Sequence, residues 1–396
     1  MNVLVINAGS SSLKYQLISV ENQEVLAIGI CERVGGEGSF HKYGLDGNER
    51  KDEVPMADHN DAISLMLKAL TSGPTKAVES LDEIDAIGHR VVQGGQYYDK
   101  SVVIDEDVLD KIDVCSELAP LHNPPALMGI NACSDQMPDK PMVAVFDTSF
   151  FQTLKPSAYM YALPYELYEK HTVRKYGMHG TSHRYVSAQA AKFLDRPAED
   201  LNIITCHLGN GCSMSAVSGG KAVDTSMGLT PLDGLMMGTR CGSIDPAVVP
   251  FIMEHENLDT TAVNNLMNKK SGLLGISGLS NDLRTVTEAA AEGHERAQLA
   301  LDMYAHVIKR YIGQYMAVMG GVDVVVMTAG VGENSDLMRS MVFDGLEGLG
   351  MKLDAERNAV RGGDRVISTD DSPVTLVVIP TNEEYMIARD AYDLLK

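Results

Sequence analysis

Two stretches of the chain repeat one pattern of hydrophobic and polar positions. In the first, the apolar run Val3 to Ile6 gives way to a turn of small polar residues, Asn7-Ala8-Gly9-Ser10-Ser11-Ser12. Leu13, Tyr15 and Leu17 then alternate with Lys14 and Gln16. In the second, the apolar run Ile203 to Cys206 enters the tight turn Gly209-Asn210-Gly211, and the chain leaves with alternation from Cys212 to Val217. An apolar run, a tight turn and period-two alternation predict a β-hairpin in each case. Two matching hairpins about 200 residues apart in the sequence predict a duplicated fold with a cleft between the copies.

The remaining pattern reads as strands interleaved with helices. Val25 to Ile30, Ala86 to Val92, Met142 to Phe146, Val322 to Met327 and Val374 to Ile379 are short apolar runs. Unbroken apolar strands point to sheets covered on both faces, an α/β layout. Helical spacing runs over Asp61 to Leu70, Val108 to Leu118 and Glu295 to Met319. Pro124 and Pro125 open a further helix, Thr181 or Ser182 is expected to cap one that runs to Leu194, and Asn382 the last. Gly35 to Gly47 reads as loop or edge hairpin, and Asp224 to Asp245 as an irregular loop long enough to be functional.

Composition narrows the function classes. A formal net charge of -21 argues against a nucleic-acid surface. Any site for an anion must therefore build its positive field locally, from a few Arg or Lys side chains and a metal ion. None of the six cysteines forms a Cys-x-x-Cys pair, so reduced, buried thiols in a cytoplasmic protein are expected. The N-terminus has no basic signal-peptide region, and no apolar run approaches the roughly 18 residues of a membrane span.

Four turns rich in glycine or hydroxyl groups follow apolar strands: Asn7 to Ser12, Gly209 to Ser213, Gly330 to Asn334 and Pro380 to Glu383. One such turn is as readily a plain hairpin; four of similar build, in both halves, point to a phosphate-binding cleft. No Walker A sequence occurs, so a bound nucleotide would not lie on a P-loop. Arg90 and Arg240 lie beside glycines, as guanidinium forks for phosphoryl oxygens or as surface ion pairs. Asp147 and Glu383 each follow a strand, where a carboxylate is a magnesium ligand or, for Glu383 above all, a helix-cap group. His179 and His183 have the spacing His-x-x-x-His, but no Glu follows His179 as it does in zinc proteases. His89 and His122 read equally as packed core histidines.

Taken together, Asn7-Ala8-Gly9-Ser10-Ser11-Ser12-Leu13-Lys14, His179-Gly180-Thr181-Ser182-His183, His207-Leu208-Gly209-Asn210-Gly211, Ala329-Gly330-Val331-Gly332-Glu333-Asn334 and Thr381-Asn382-Glu383-Glu384 resemble the signatures of the acetate kinase family, in the family's order and across the whole chain. The resemblance implies a two-domain, duplicated ribonuclease-H-like fold of the acetate and sugar kinase, Hsp70 and actin superfamily, with an interdomain cleft. The domains are expected at 1–148 plus the helix 384–396, and at 149–383. It implies a cytoplasmic homodimer that transfers phosphoryl reversibly from ATP to acetate, with Mg²⁺ or Mn²⁺.

Carried over by position, Asp147, Arg90, Arg240 and His179 are the implied catalytic residues, and Asn7 and Glu383 attend the metal. Arg90, Val92, Leu121, His122, Met178 and Pro231 are implied for the acid. The nucleotide would be held by Ser10, Ser12, Lys14, His207, Leu208, Gly209, Asn210, Gly211, Asp282, Leu283, Arg284, Gly330, Val331, Gly332, Glu333 and Asn334. One departure is Met178, where the family commonly has Phe; the softer side chain is expected to widen the acid pocket. Alternatives are a kinase for propionate or butyrate, or a non-catalytic nucleotide-driven scaffold, which would have no use for Arg90, Arg240 and an apolar acid pocket.

Overall fold

The computed structural model describes residues 1–45 and 48–396, so the end of the Gly35–Gly47 stretch, Asp46 and Gly47, lies outside the described residues. The chain divides into two compact units, Met1–Gln152 with Asn382–Lys396, and Thr153–Thr381. These limits differ from the expected 148/149 and 383/384. Asn382 caps the helix Glu383–Leu395, its side chain accepting from Tyr385 N–H, so Asn382 and Glu383 go with that helix.

In the first unit the strands are β1 (Asn2–Gly9), β2 (Ser12–Ser19), β3 (Glu24–Glu32), β4 (Phe40–Gly44), β5 (Arg50–Glu53), β6 (Ala86–Val91), β7 (Val102–Val103) and β8 (Met142–Phe146). They form one sheet in the order β5-β4-β3-β2-β1-β6-β8-β7. Side chains alternate across it. Leu4, Ile6, Leu13 and Leu17 join a cluster with Ile63, Met66 and Ala132 of the helices His59–Thr71 and Asn123–Gln136. Val3, Val5, Ala86, Val143 and Val145 pack with Ile387, Ala388 and Ala391 of Glu383–Leu395. Each such fully buried Val, Leu or Ile contributes about 1.5–3 kcal/mol. That last helix lies close: a Cβ on Gly88 of β6 would stand 2.6 Å from Ile387 Cγ2.

In the second unit the strands are β9 (Asn202–Leu208), β10 (Cys212–Ser218), β11 (Lys221–Thr225), β12 (Val324–Thr328), β13 (Arg365–Val366) and β14 (Thr375–Val378). Their order is β11-β10-β9-β12-β14-β13. The core of both sheets is the same: a three-strand antiparallel meander, then two strands parallel to its first strand. The duplication expected from the two hairpins is present as β3-β2-β1-β6-β8 and β11-β10-β9-β12-β14.

Four local expectations are corrected. Asn7, Ala8 and Gly9 are strand, not turn; only Ser10 and Ser11 lie between β1 and β2, because the pairing continues to Gly9 opposite Ser12. The helix Gly180–Phe193 starts from His179, not Thr181 or Ser182, and His179 adopts a left-handed φ of 59°. Gly330–Asn334 is not a turn but part of the short helix Ala329–Asn334. The helix Glu106–Val114 starts earlier than Val108, at the cap Asp105, and tightens to a 3₁₀ turn after Val114.

Candidate active site

In the first unit, Arg90 near the end of β6 and Asp147 just past β8 meet because those strands are parallel neighbours. The contact is bidentate, with Arg90 Nε donating to Asp147 Oδ1 at 3.2 Å and Nη2 to Oδ2 at 2.6 Å. The Asp147 side chain is 0% exposed and that of Arg90 20%. Glu383, in the first turn of its helix, brings Oε2 to 3.8 Å from Arg90 Nε. Burial drives the Glu383 carboxyl up to about 7; Arg90 pulls it down, while Asp147 and Glu384 push it up again. Burial works against the charge of Arg90, but Asp147 and Glu383 outweigh it and the guanidinium is held above its ordinary value. Lys14 also pulls the Glu383 carboxyl down, so three carboxylates stand against two cations in this cluster. Asn7 and Lys14 are register partners across the first hairpin, on the same sheet face. With Glu384 they line a cavity of about 400 Å³. Ser10 is exposed at the hairpin tip and Ser12 half-buried.

In the second unit, His179 and Arg240 converge on the turn between β9 and β10. A Cβ built on Gly211 would stand 3.6 Å from His179 Nε2 and 3.8 Å from Arg240 Nη1. His179 Nδ1 lies 2.8 Å from Ser213 Oγ, and its ring stacks on His207 at 4.2 Å between centroids. The left-handed backbone of His179 costs about 1–3 kcal/mol, strain of the kind held at functional positions. Arg240 Nη1 donates to the Pro231 carbonyl at 3.2 Å and lies 3.7 Å from Met237 Sδ. Burial lowers the Arg240 guanidinium, and among the described residues it forms no ion pair. A guanidinium left with neutral partners keeps its donors available to an incoming anion.

The same turn also borders a cavity of about 710 Å³, lined by Gly209 and Asn210, by Asp282, Leu283 and Arg284, and by Gly330, Val331 and Asn334. Three segments far apart in sequence, all expected at the nucleotide, meet there. Asn210 is held in place by Asn281 Nδ2 at 3.2 Å and by Gly238 N–H donating to its carbonyl at 3.1 Å. A Cβ at Gly238 would fall 2.1 Å from Asn210 Oδ1 and displace that side chain. Asp282 caps the helix Leu283–Ala291 and pairs with the exposed Arg284. Gly332 and Glu333 do not line the cavity; their carbonyls accept from the buried Arg339 at 2.8 and 3.0 Å, which anchors the short helix. Glu333 Oε1 also accepts from Thr381 N–H at 3.2 Å. His207 is buried on β9, its Nδ1 2.8 Å from Ser182 Oγ. Leu208 is fully buried beside it.

The residues expected around the acid divide between the units. In the first, Val92 is 8% exposed and Leu121 62%, while His122 begins the helix Asn123–Gln136. In the second, Met178 is 2% exposed, and Pro231 touches Arg240 through its carbonyl. Sequence reading missed Thr287, Glu288, Ser335, Asp336 and Arg361 on the nucleotide-sized cavity. Helical spacing from Leu283 and Arg284 would have pointed to Thr287 and Glu288, but nothing local marks Arg361. Glu384, quoted only as part of a motif, and Ser213 are further omissions.

A family model described as the Acetokinase family matches residues 2–389. The chain is 57% identical to the acetate kinase of Alkaliphilus metalliredigens over 396 residues, covering 100% of both chains. Among solved structures it is similar to the acetate kinase of Porphyromonas gingivalis, with TM-score 0.96 and 48% identity over 100% of both chains. It is also similar to a propionate kinase of Francisella tularensis, with TM-score 0.94 and 42% identity over 100% of both. On the strength of the full-length match and these identities, the chain belongs to the acetokinase family.

Proposed function

We propose that this chain catalyses the reversible transfer of a phosphoryl group from ATP to acetate, giving ADP and acetyl phosphate, by direct in-line displacement. The observation that carries the reading is the Gly209–Gly211 turn. Gly209 and Asn210 line a cavity of nucleotide size, and Gly211 lies next to His179 and Arg240, the donors a transferring phosphoryl group requires. Acetate, with a pKa of about 4 like other carboxylic acids, is already an anion at neutral pH, so no general base is needed. The barrier lies in joining two anions. Arg240 and His179 stabilise charge on the phosphoryl oxygens, and Arg90 binds the acid. Asp147 orients Arg90 through the bidentate contact rather than moving a proton.

A divalent cation, Mg²⁺ or Mn²⁺, would suit the carboxylates gathered at Glu383, whose carboxyl burial raises against the pull of Arg90 and Lys14. Asn7 and Glu383 would hold it, the nucleotide phosphates and water filling the other positions, as Mg²⁺ sites built on one or two carboxylates do. When bound it would neutralise phosphate charge. The reading includes a homodimer, supported by the helix Val248–His255, which buries none of its residues and leaves Phe251 60% exposed. It also includes a cytoplasmic location, supported by six unpaired cysteines.

The test is hydroxylamine trapping. Purified protein with ATP, Mg²⁺ and acetate is expected to accumulate acetohydroxamate, and ATP consumption without trapped acyl phosphate would overturn the reading. A second reading, preference for propionate, is favoured by Met178 and by the likeness to a propionate kinase. Side-by-side kcat/KM for the two acids decides between them.

A further inference from the structure

The hairpin β9–β10 carries, beneath the helix Gly180–Phe193, side chains that are polar where a buried sheet face is ordinarily apolar. Thr205, His207, Ser213 and Ser215 are each 8% exposed or less. They form two cross-strand pairs, His207 opposite Ser213 and Thr205 opposite Ser215. Burying four polar side chains costs stability unless each is hydrogen-bonded; Ser215 Oγ donates to the Asp224 carbonyl at 3.0 Å, His207 Nδ1 lies 2.8 Å from Ser182 Oγ, and Thr205 and Ser213 are joined through His183. His183, fully buried, places Nδ1 2.6 Å from Thr205 Oγ1 and Nε2 2.7 Å from Ser213 Oγ. Ser213 Oγ in turn lies 2.8 Å from His179 Nδ1.

The contacts fix the partners of these bonds, and the imidazole tautomers set their direction. Burial, and then the neighbouring His207, hold His183 well below the ordinary imidazole range, so its ring is neutral, with one nitrogen donating and the other accepting. Thr205 has a second acceptor, the Ser215 carbonyl, but at 3.5 Å it does not compete with a 2.6 Å contact. With the Thr205 proton assigned to the shorter contact, at His183 Nδ1, His183 Nε2–H would donate to Ser213 Oγ. In that arrangement the Ser213 proton would go to His179 Nδ1.

We propose that Ser213 is a positioning residue for His179: the hydroxyl, fed by Thr205 and His183, holds the neutral ring as its Nε2–H tautomer and directs that N–H toward the Gly209–Gly211 turn. The inference rests on the functional reading above, in which His179 donates to the transferring phosphoryl group. A neutral, oriented imidazole donor needs no proton from solvent and no reorganisation during transfer.

The test combines kinetics with ¹⁵N NMR of histidine-labelled protein at neutral pH, His179 being assigned from His179→Gln. In the unmodified protein His179 is expected to carry its proton on Nε2. Ser213→Ala is expected to lower kcat by about tenfold to a hundredfold, as loss of orientation does, with KM for ATP and acetate within about twofold, and to shift His179 toward the other tautomer. Ser213→Thr, which keeps the hydroxyl, is expected to restore the Nε2–H form. A His179 that is Nδ1-protonated or doubly protonated in the unmodified protein overturns the proposal, whether or not Ser213→Ala folds. So does a Ser213→Ala protein with unchanged kcat. Failure to trap acetohydroxamate with the unmodified protein would instead sink the functional reading, and the tautomer measurement would still decide the role of Ser213.

Discussion

The hairpins β1–β2 and β9–β10 occupy the same place in two copies of one topology, yet their surroundings differ. In the first, two exposed serines form the tip, and Asn7 and Lys14 stand side by side on an open sheet face. In the second, every residue of β10 but Ser218 is buried, and the tip is flanked by His179, Arg240 and a cavity. The first hairpin offers side chains to solvent. The second turns its side chains inward, where Ser213 meets His179 and His183. Burial, not strand order, separates the two roles.

The sharpest test of that contrast sets Arg240 against Lys14. Arg240→Ala is expected to cost on the order of 3 kcal/mol in the barrier, a hundredfold or more in kcat. Lys14→Ala, at an exposed position, is expected to cost about tenfold, chiefly in KM for ATP, with no change in thermal midpoint. Steady-state kinetics with both substrates varied compares them; equal losses would remove the distinction. Next is Gly211→Ala. Its Cβ would meet the His179 ring at an ordinary contact distance of 3.6 Å, so folding should survive while the space next to His179 and Arg240 is taken. The expected result is a fall in kcat/KM of about tenfold with a near-native melt; wild-type turnover would show that the phosphoryl group lies elsewhere.

Smaller effects concern the buried imidazoles. Burial pushes His89 down to about 3 and His41 down to about 4, and His183 far down as well. Their folded values lie below the unfolded one of about 6.5, so below that pH the unfolded chain binds protons the folded chain does not, and stability falls as pH falls. At pH 5 the loss is expected to reach about 2 kcal/mol per imidazole at most. Thermal melts at pH 5 and 7.5 should show it, and His89→Leu should reduce the difference. The smallest effect belongs to Met178. Met178→Phe is expected to raise the acetate-over-propionate ratio of kcat/KM several-fold, the scale of one methylene in an apolar pocket, and an unchanged ratio would remove Met178 from acid selection.

Much of the fold was legible in the chain. Period-two alternation and apolar runs marked both hairpins and the buried strands, and period-3.6 spacing with terminal glycines marked Glu295–Met319, because burial of one face is written into local order. Motif order placed the chain in its family, and with it the residues to examine. Local order was misleading where small residues sit inside pairing. Asn7 to Gly9 read as turn but extend β1, and Gly330–Asn334 read as turn but is helix; in both cases neighbouring strands and the Arg339 anchor decide the backbone.

By itself the sequence determined the element types, the repeat of the hairpin, and a net charge that confines anion binding to a few cationic residues. Tertiary structure alone decided which of those residues meet: that parallel β6 and β8 bring Arg90 onto Asp147, and that a turn, a helix cap and a distant short helix share one cavity. It also decided that Ser213 lies between two imidazoles. Contacts of this kind depend on strand register and helix packing among residues tens to hundreds of positions apart, and no local pattern of hydrophobic and polar positions encodes them.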